Sequence, residues 1–401
     1  MSQYPILVQK FGGTSVANID NIKLAASKVV AAIRDGYYPI VVVSAMAGVT
    51  NQLVSYCKAI SSLTSEEEIS EYDVALSSGE VITAALMALA LRKEGVVAES
   101  LMGWQVPIAT NNLYSKALIE KIDNVYITSL LNRRIVPVVA GFQGLSEYNR
   151  ITTLGRGGSD TTAAALAAAM GASFCDIYTD VEGIFTTDPR LVHNAKRIDI
   201  ISYEEMLEFA SMGAKVLHTR SVQIGMRYNV PIRVISTFAS NLNYTLVTSK
   251  SDDMENRKIT GITYTKNIAS VLIRYNNASA INLSEMMKQN FQILQSNINY
   301  TNSEVAVLVG LEDLLKLQQY IENIDRALSH EVNSDIGQVS IVGFGVKNDK
   351  NLLGEVVSVL EANDINISSI IITEVTIGLI MPASFTEKAV QLLHEYLRLD
   401  V

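Results

Sequence analysis

The stretch TTLGRGGSD, residues 152–160, sets three glycines within four positions, with Arg156 between the first two. Ser159 and Asp160 then open an alanine-rich run of strong helix propensity. Glycines such as Gly157 and Gly158 let a backbone come close to a bound group. A helix N-terminus adds unpaired N–H groups and about half a positive charge, so the stretch is suited to an anion. Asp160 would repel that anion unless cations stand nearby. Lys10, in QKFGGTS, is one candidate: it ends an apolar run just before a glycine turn containing Gly12, Gly13 and Ser15, within reach of phosphates held by the turn. Arg156 offers a planar fork for a carboxylate. Glu80, in SSGE, could receive an ammonium group, although an acidic residue in a first helical turn is favourable without any ligand. Ser44 and Thr50, in SAMAGVTNQL, are hydroxyl donors in a small-residue turn that also fits an ordinary strand-to-helix connection. Thr179, Asp180, Asp188 and Arg190 crowd the segment YTDVEGIFTTDPRL, and Lys215 lies near a helix start in MGAKVLHTRS. His218 beside it reads as structural.

These groups have to be positioned by strands and helices. ILVQKF reads as a strand, followed by a glycine turn and a helix from about Asn18 to Asp35. PIVVVSAM is a second strand, with a helix after GVTNQL. SSGEVITAALMALALRKEG reads as a capped helix ending at Gly95. RIVPVVAGFQG is a nearly continuous apolar strand, which predicts a central place in a parallel sheet. CDIYTD and VPIRVIST supply two more strands. The βαβ rhythm implies an open α/β sandwich with ligands at the carboxyl ends of its strands.

Beyond Ser236 the character changes. A polar linker holds one short strand, YTLVTS. Two units of strand, helix, two strands and helix follow, the pattern of split βαβ, ferredoxin-like modules. The first runs from ASVLIRY to LEDLLKLQQYIENIDRAL, the second from QVSIVGFGV to TEKAVQLLHEYLRL. The second lacks a fourth strand of its own, so YTLVTS is expected to complete its sheet. That gives a catalytic domain over 1–240, a first module over 259–330, and a second over 244–250 plus 335–401, with the first inserted in the second.

The 401 residues carry 48% hydrophobic and 18% charged residues and a net charge of −9. This composition fits packed globular domains and disfavours nucleic-acid or anionic-membrane partners. Cys57 and Cys175 are not in metal-type spacing, and a reducing cytoplasm is expected. The start has no signal-peptide pattern, and no apolar run reads as a membrane span. The P-loop and protein-kinase signatures are absent, as are a serine–histidine pairing and a metal-ligand cluster.

KFGGTS, SAMAGVTNQL, SSGE, GFQG, TTLGRGGSDTTA, TDVEGIFTTDPR and GAKVLH, in this order, resemble the aspartokinases of the amino acid kinase family, and the two C-terminal modules resemble paired ACT domains. The resemblance covers nearly the whole chain. It implies phosphoryl transfer from Mg-ATP to the β-carboxylate of L-aspartate. It further implies that Lys10 holds the transferring phosphoryl group, with Gly12, Gly13, Ser15, Gly157 and Gly158 around the phosphates and Asp160 orienting Lys10 and Lys215. Arg156 would clamp the α-carboxylate and Glu80 the α-ammonium, with Ser44, Thr50, Phe142 and Ser159 lining the amino acid pocket. Thr179, Asp180, Phe185, Asp188 and Arg190 would surround the nucleotide, and Mg²⁺ would come with ATP rather than on side chains. A carboxylate nucleophile is already ionised at neutral pH and needs no general base. The family implies a homodimer or dimer of dimers and an amino acid effector, lysine rather than threonine, near Asn302, Ser303 and Glu304. Phe185 stands where tyrosine is expected and Thr219 where proline is common, and the first module lacks the glycine turn of the second. Two alternatives remain open: a kinase of another acidic amino acid, or a catalytically silent amino acid sensor.

Overall fold

The computed structural model describes residues 5–212, 216–240, 243–249, 259–275, 286, 291, 293–299, 303–324 and 329–400. The chain divides into two units.

In the first unit the strand Ile6–Phe11 lies inside an eight-stranded sheet. The order is Ile200–Ser202, Tyr244–Thr248, Ile232–Ser236, Phe174–Thr179, Ile6–Phe11, Tyr38–Val43, Val136–Ala140, Ala98–Leu101. The last six of these run parallel. Their apolar runs are covered on both faces, as in the fully buried strand residues Val41, Val42 and Val43. The helices Ile19–Arg34 and Glu66–Lys93 pack on one face, burying Ala25, Val29, Ala84 and Met87 with Phe11 and Val43. Asn18 caps the first of these helices by accepting from Asn21 N–H. Arg233 binds the buried Asp176 across neighbouring strands through two hydrogen bonds, and burial pushes that carboxyl up to about 6. A second sheet, Ile119–Ile122, Ile108–Thr110, Gln143–Ser146 and Ile151–Thr153, leads into the helix Gly158–Met170.

Four expectations are corrected here. Tyr244–Thr248 does not join a regulatory module. It pairs antiparallel with Ile232–Ser236 and parallel with Ile200–Ser202, and its buried Thr245 hydroxyl donates to Ile198 O and accepts from Ile184 N–H. The catalytic domain therefore extends past residue 240. The run RIVPVVAGFQG breaks at residue 141: Val136–Ala140 is next to the edge of the main sheet, and Gln143–Ser146 belongs to the smaller one. The helix around SSGE begins much earlier, at Glu66. Ser65 and Glu68 form a capping box there, so Glu80 lies in mid-helix. That helix is also long and apolar enough to cross a membrane by length and composition alone. Half of its apolar window is buried within the protein, and it carries the buried Asp73 and Glu80.

The second unit is built on one six-stranded sheet, ordered Ile293–Asn299, Glu304–Gly310, Gly261–Arg274, Ser329–Val342, Thr376–Pro382, Ser369–Ile372. Two of these strands are fourteen residues long, and each serves both modules. The first half of Gly261–Arg274 pairs with residues 338–342 and so supplies the fourth strand of the second module. The second half pairs with Glu304–Gly310 and with the beginning of Ser329–Val342, which in turn completes the first module. The two modules thus share strands, and residues 261–265, expected in the first module, pair within the second. Behind the second module's strands, the helices Leu352–Glu361 and Thr386–Tyr396 bury Val356, Leu360, Val390 and Leu393. Residues 186–196 also belong to this unit. Leu191 and Val192 pack on its core, Thr186 O accepts from Ile262 N–H, and Thr186 Oγ1 hydrogen-bonds the buried His394 Nε2 at 2.9 Å.

Candidate active site

The strands Ile6–Phe11, Tyr38–Val43 and Val136–Ala140 are neighbours, and the loops at their carboxyl ends face the N-terminus of the helix Gly158–Met170. Together with the helix Glu66–Lys93 they line a cavity of about 290 Å³. Its walls are Lys10, Gly13, residues 44–48, Thr50, Glu80, Phe142 and residues 155–160.

Lys10 is only 8% exposed, and its Nζ lies 2.6 Å from Asp160 Oδ1. The contact is an ion pair by distance without the alignment of a hydrogen bond. A Cβ on Gly12 would stand 3.3 Å from Lys10 Nζ. A side chain there would crowd the ammonium.

Glu80 is 3% exposed. Its Oε1 accepts the Ala45 N–H at 3.1 Å, while its Oε2 has no partner among the described residues. Burial pushes its carboxyl up to about 7, against the opposing pull of that N–H. Gly79 makes this approach possible, because a Cβ there would lie 2.7 Å from the Ala45 Cβ. The favourable charge of a first helical turn cannot account for Glu80, which is far from its helix start. A buried carboxylate oxygen left without a protein donor is unusual and calls for an explanation.

The loop of Arg156 is shaped by its glycines. Gly155 and Gly157 have φ of 75° and 65°. A Cβ on Gly157 would meet the His218 ring at 2.2 Å, and one on Gly158 would meet Phe142 Cδ2 at 2.7 Å. His218 is therefore a packing partner of the loop, and its Nδ1 accepts from Arg220 N–H at the head of the helix Thr219–Tyr228. Burial holds its imidazole below the usual range. Phe142 itself takes φ of 71°, a strained conformation for a residue with a side chain. Its N–H bonds Thr162 Oγ1 and its carbonyl accepts from Leu154 N–H.

The structure thus gathers Lys10, Gly13, Ser44, Thr50, Glu80, Phe142, Arg156, Gly157, Gly158, Ser159 and Asp160 at one cavity. It does not gather every expected residue there. The N–H of Gly12 is spent on Tyr178 O. Ser15 is wholly buried, with its hydroxyl donating to Tyr178 O and accepting from Thr237 Oγ1, so it ties the turn to the sheet. Thr179, Asp180 and Phe185 lie outside the cavity wall, and Thr179 Oγ1 donates to Asp180 Oδ1. Asp188 and Arg190 are exposed in the second unit, where Asp188 Oδ1 accepts from Arg190 N–H. Lys215 and Asn302 lie outside the described residues. Ser303 holds φ of 54° in the turn before the strand Glu304–Gly310, and Glu304 pairs with Arg274 at 3.0 Å.

Two positions escaped the sequence reading. Gly79 had a signal, a glycine inside an otherwise unbroken helix. Asp73 had none, because the backbone groups it binds, at Ser115 and Thr153, are 42 and 80 residues away in sequence.

Residues 5–236 match the model of the amino acid kinase family, and residues 339–397 that of the ACT domain. A Rickettsia felis protein named aspartokinase is 47% identical over 391 residues, covering 96% of this chain and 97% of its own length. Aspartokinase of Geobacillus stearothermophilus is 39% identical over 397 residues, covering 97% and 96%. The crystal structure of E. coli aspartokinase III in complex with aspartate and ADP, in its R-state, matches with a TM-score of 0.85 at 28% identity, over 98% of this chain and 100% of that one. The complex of E. coli aspartokinase III with lysine and aspartate, in the T-state, matches at 0.75 and 27% identity, over 98% and 99%.

Proposed function

The chain belongs to the amino acid kinase family, among its aspartokinases, and from that premise we propose how the cavity divides the work of phosphorylating the β-carboxylate of L-aspartate. Glu80 Oε2 takes the α-ammonium and Arg156 the α-carboxylate, which fixes the amino acid by both ends of its backbone. The free oxygen of Glu80 is the observation that carries this reading. The side-chain carboxylate is then held toward Lys10 and the N-terminus of the helix Gly158–Met170. There Lys10, oriented by Asp160, meets the γ-phosphoryl group of Mg-ATP as charge develops on it. Two anions must be brought together, so positioning and fixed positive charge are what the reaction requires. Gly12 and Ser15 support the turn and do not contact phosphate. Mg²⁺ arrives as the counter-ion of the substrate nucleotide.

The ACT modules take an amino acid effector on this reading, lysine rather than threonine, since E. coli aspartokinase III has been captured with lysine. The protein works as a homodimer or dimer of dimers. The test of the reaction is chemical. The purified protein is incubated with Mg-ATP, hydroxylamine and a panel of acidic amino acids. Aspartate should give the hydroxamate that traps an acyl phosphate. A folded protein that yields no hydroxamate with aspartate overturns the reading, and selective trapping with glutamate replaces it.

A further inference from the structure

The Arg156 loop raises a mechanical question. Arg156 stands between Gly155 and Gly157, both in the left-handed region, where glycine leaves the backbone unusually free. The peptide just upstream is tied down. The N–H of Thr153 donates to Asp73 Oδ2 at 2.7 Å, and its carbonyl accepts from Ala117 N–H at 2.9 Å. The N–H of Leu154 donates to Phe142 O, and its carbonyl accepts from Arg220. All four backbone groups of this dipeptide are therefore committed, two of them to charged side chains of opposite sign.

The same two charges hold the segment packed against it. Asp73 Oδ2 also accepts from Ser115 N–H at 2.9 Å, and Arg220 also donates to Ala117 O at 2.9 Å. Asp73 is 0% exposed, and its Oδ1 accepts from the Thr153 hydroxyl at 2.7 Å. A buried carboxylate on three donors and a guanidinium on two carbonyls form a stiff brace, because charge-assisted hydrogen bonds are the strong ones.

We propose that Asp73 and Arg220 are positioning residues for aspartate recognition: they brace residues 153–154 and 115–117, and so fix the place of Arg156. Neither touches the substrate. The inference rests on the reading of Arg156 as the clamp for the α-carboxylate.

Steady-state kinetics on the full chain test it. Asp73→Ala should raise the aspartate KM about 10-fold or more, since misplacing a clamp by 1 Å is that costly, while kcat and the ATP KM stay within about two-fold. Asp73→Asn keeps an acceptor for both N–H groups and places an NH2 against the Thr153 hydroxyl, so it should return the KM to within about three-fold of wild type. With Arg156→Ala already present, Asp73→Ala should move the aspartate KM by less than about two-fold, because the two changes damage one interaction. Arg220→Lys keeps the charge but cannot span both carbonyls, and should raise the aspartate KM in the same selective way. It also keeps the test alive if Asp73→Ala does not fold. An unchanged aspartate KM in Arg220→Lys and in any folded Asp73→Ala overturns the inference. So does an Asp73→Ala effect that persists in full beside Arg156→Ala. An Arg156→Ala enzyme with an unchanged aspartate KM overturns the reading of Arg156 itself.

Discussion

Asp73 and Glu80 stand two turns apart on one face of the helix Glu66–Lys93, and each buried carboxylate receives backbone N–H from a different loop of the site. They differ in what is left over. Both oxygens of Asp73 are engaged, by three protein donors. Glu80 has one donor and one free oxygen. A carboxylate with its hydrogen bonds complete is a brace. One with an oxygen that no protein donor reaches, on a cavity wall, is placed to take a donor from a ligand.

Glu80→Gln tests that distinction. The amide oxygen can still accept the Ala45 N–H, so the 44–48 loop should keep its place. The amide cannot pair with an ammonium group. Aspartate affinity measured by calorimetry should fall about 10- to 100-fold, the scale of one charge-assisted hydrogen bond, with nucleotide affinity unchanged. Equal aspartate affinity in the variant would move the ammonium site elsewhere.

Lys10 should separate binding from turnover. Lys10→Met is expected to lower kcat about 100-fold or more, the scale of removing one preorganised donor, with aspartate affinity within a few-fold of wild type. It also leaves Asp160 without its cation, which should lower stability by about 1–3 kcal/mol. Adding Asp160→Asn should restore the denaturation midpoint but not the activity. Recovery of both would make the pair structural.

Much of this was legible in the chain. The strand Ile6–Phe11 followed from its apolar run before the glycine turn, and the helix after it was placed to within a residue or so of Ile19–Arg34. The glycines around Arg156 announced a loop with close approaches. What was not legible depended on partners far away in sequence. SSGE resembles a helix start, and only the Ser65–Glu68 capping box shows that the helix begins a dozen residues earlier. Ser15 reads as a phosphate donor until Thr237 and the Tyr178 carbonyl claim its hydroxyl. YTLVTS looks like a strand in need of a sheet, and the second module lacks a fourth strand in its own stretch of sequence. The module's true fourth strand was concealed because ASVLIRY and QVSIVGFGV are each one half of a strand that continues into the other module.

In the regulatory unit, His394 joins the helix Thr386–Tyr396 to Thr186, whose hydroxyl also accepts from Lys196 N–H. Burial holds the His394 imidazole below its usual range. The sign follows: neutral His394 contributes stability that is complete above the unfolded value of 6.5 and is lost as pH falls through the lower folded value. His394→Phe should cost about 1–3 kcal/mol by removing one of the two partners of the buried Thr186 hydroxyl. Amide exchange at Ile262 and Lys196 should accelerate as well. Unchanged exchange would show that the His394–Thr186 bond is not what holds the segment.

The pH dependence of aspartate binding follows from Glu80. Its carboxyl is pushed from 4.5 up to about 7 by burial, so the substrate-free site is half protonated near neutrality. The ionised form is the one that pairs with ammonium. Lowering the pH from 8 to 6 should therefore raise the aspartate KM about 10-fold, while the ATP KM stays flat over the same range. Stability without substrate runs the other way. A raised carboxyl favours folding at low pH, and that contribution disappears as pH rises from the unfolded value of 4.5 through about 7. The loss amounts to about 3 kcal/mol by pH 8. Glu80→Gln should remove both slopes together: the aspartate KM, already high, becomes insensitive to pH, and the urea midpoint at pH 8 rises above that of wild type. A wild-type aspartate KM that is constant from pH 6 to 8, with a denaturation midpoint equally constant, would show that Glu80 is ionised throughout and is paired already in the free protein.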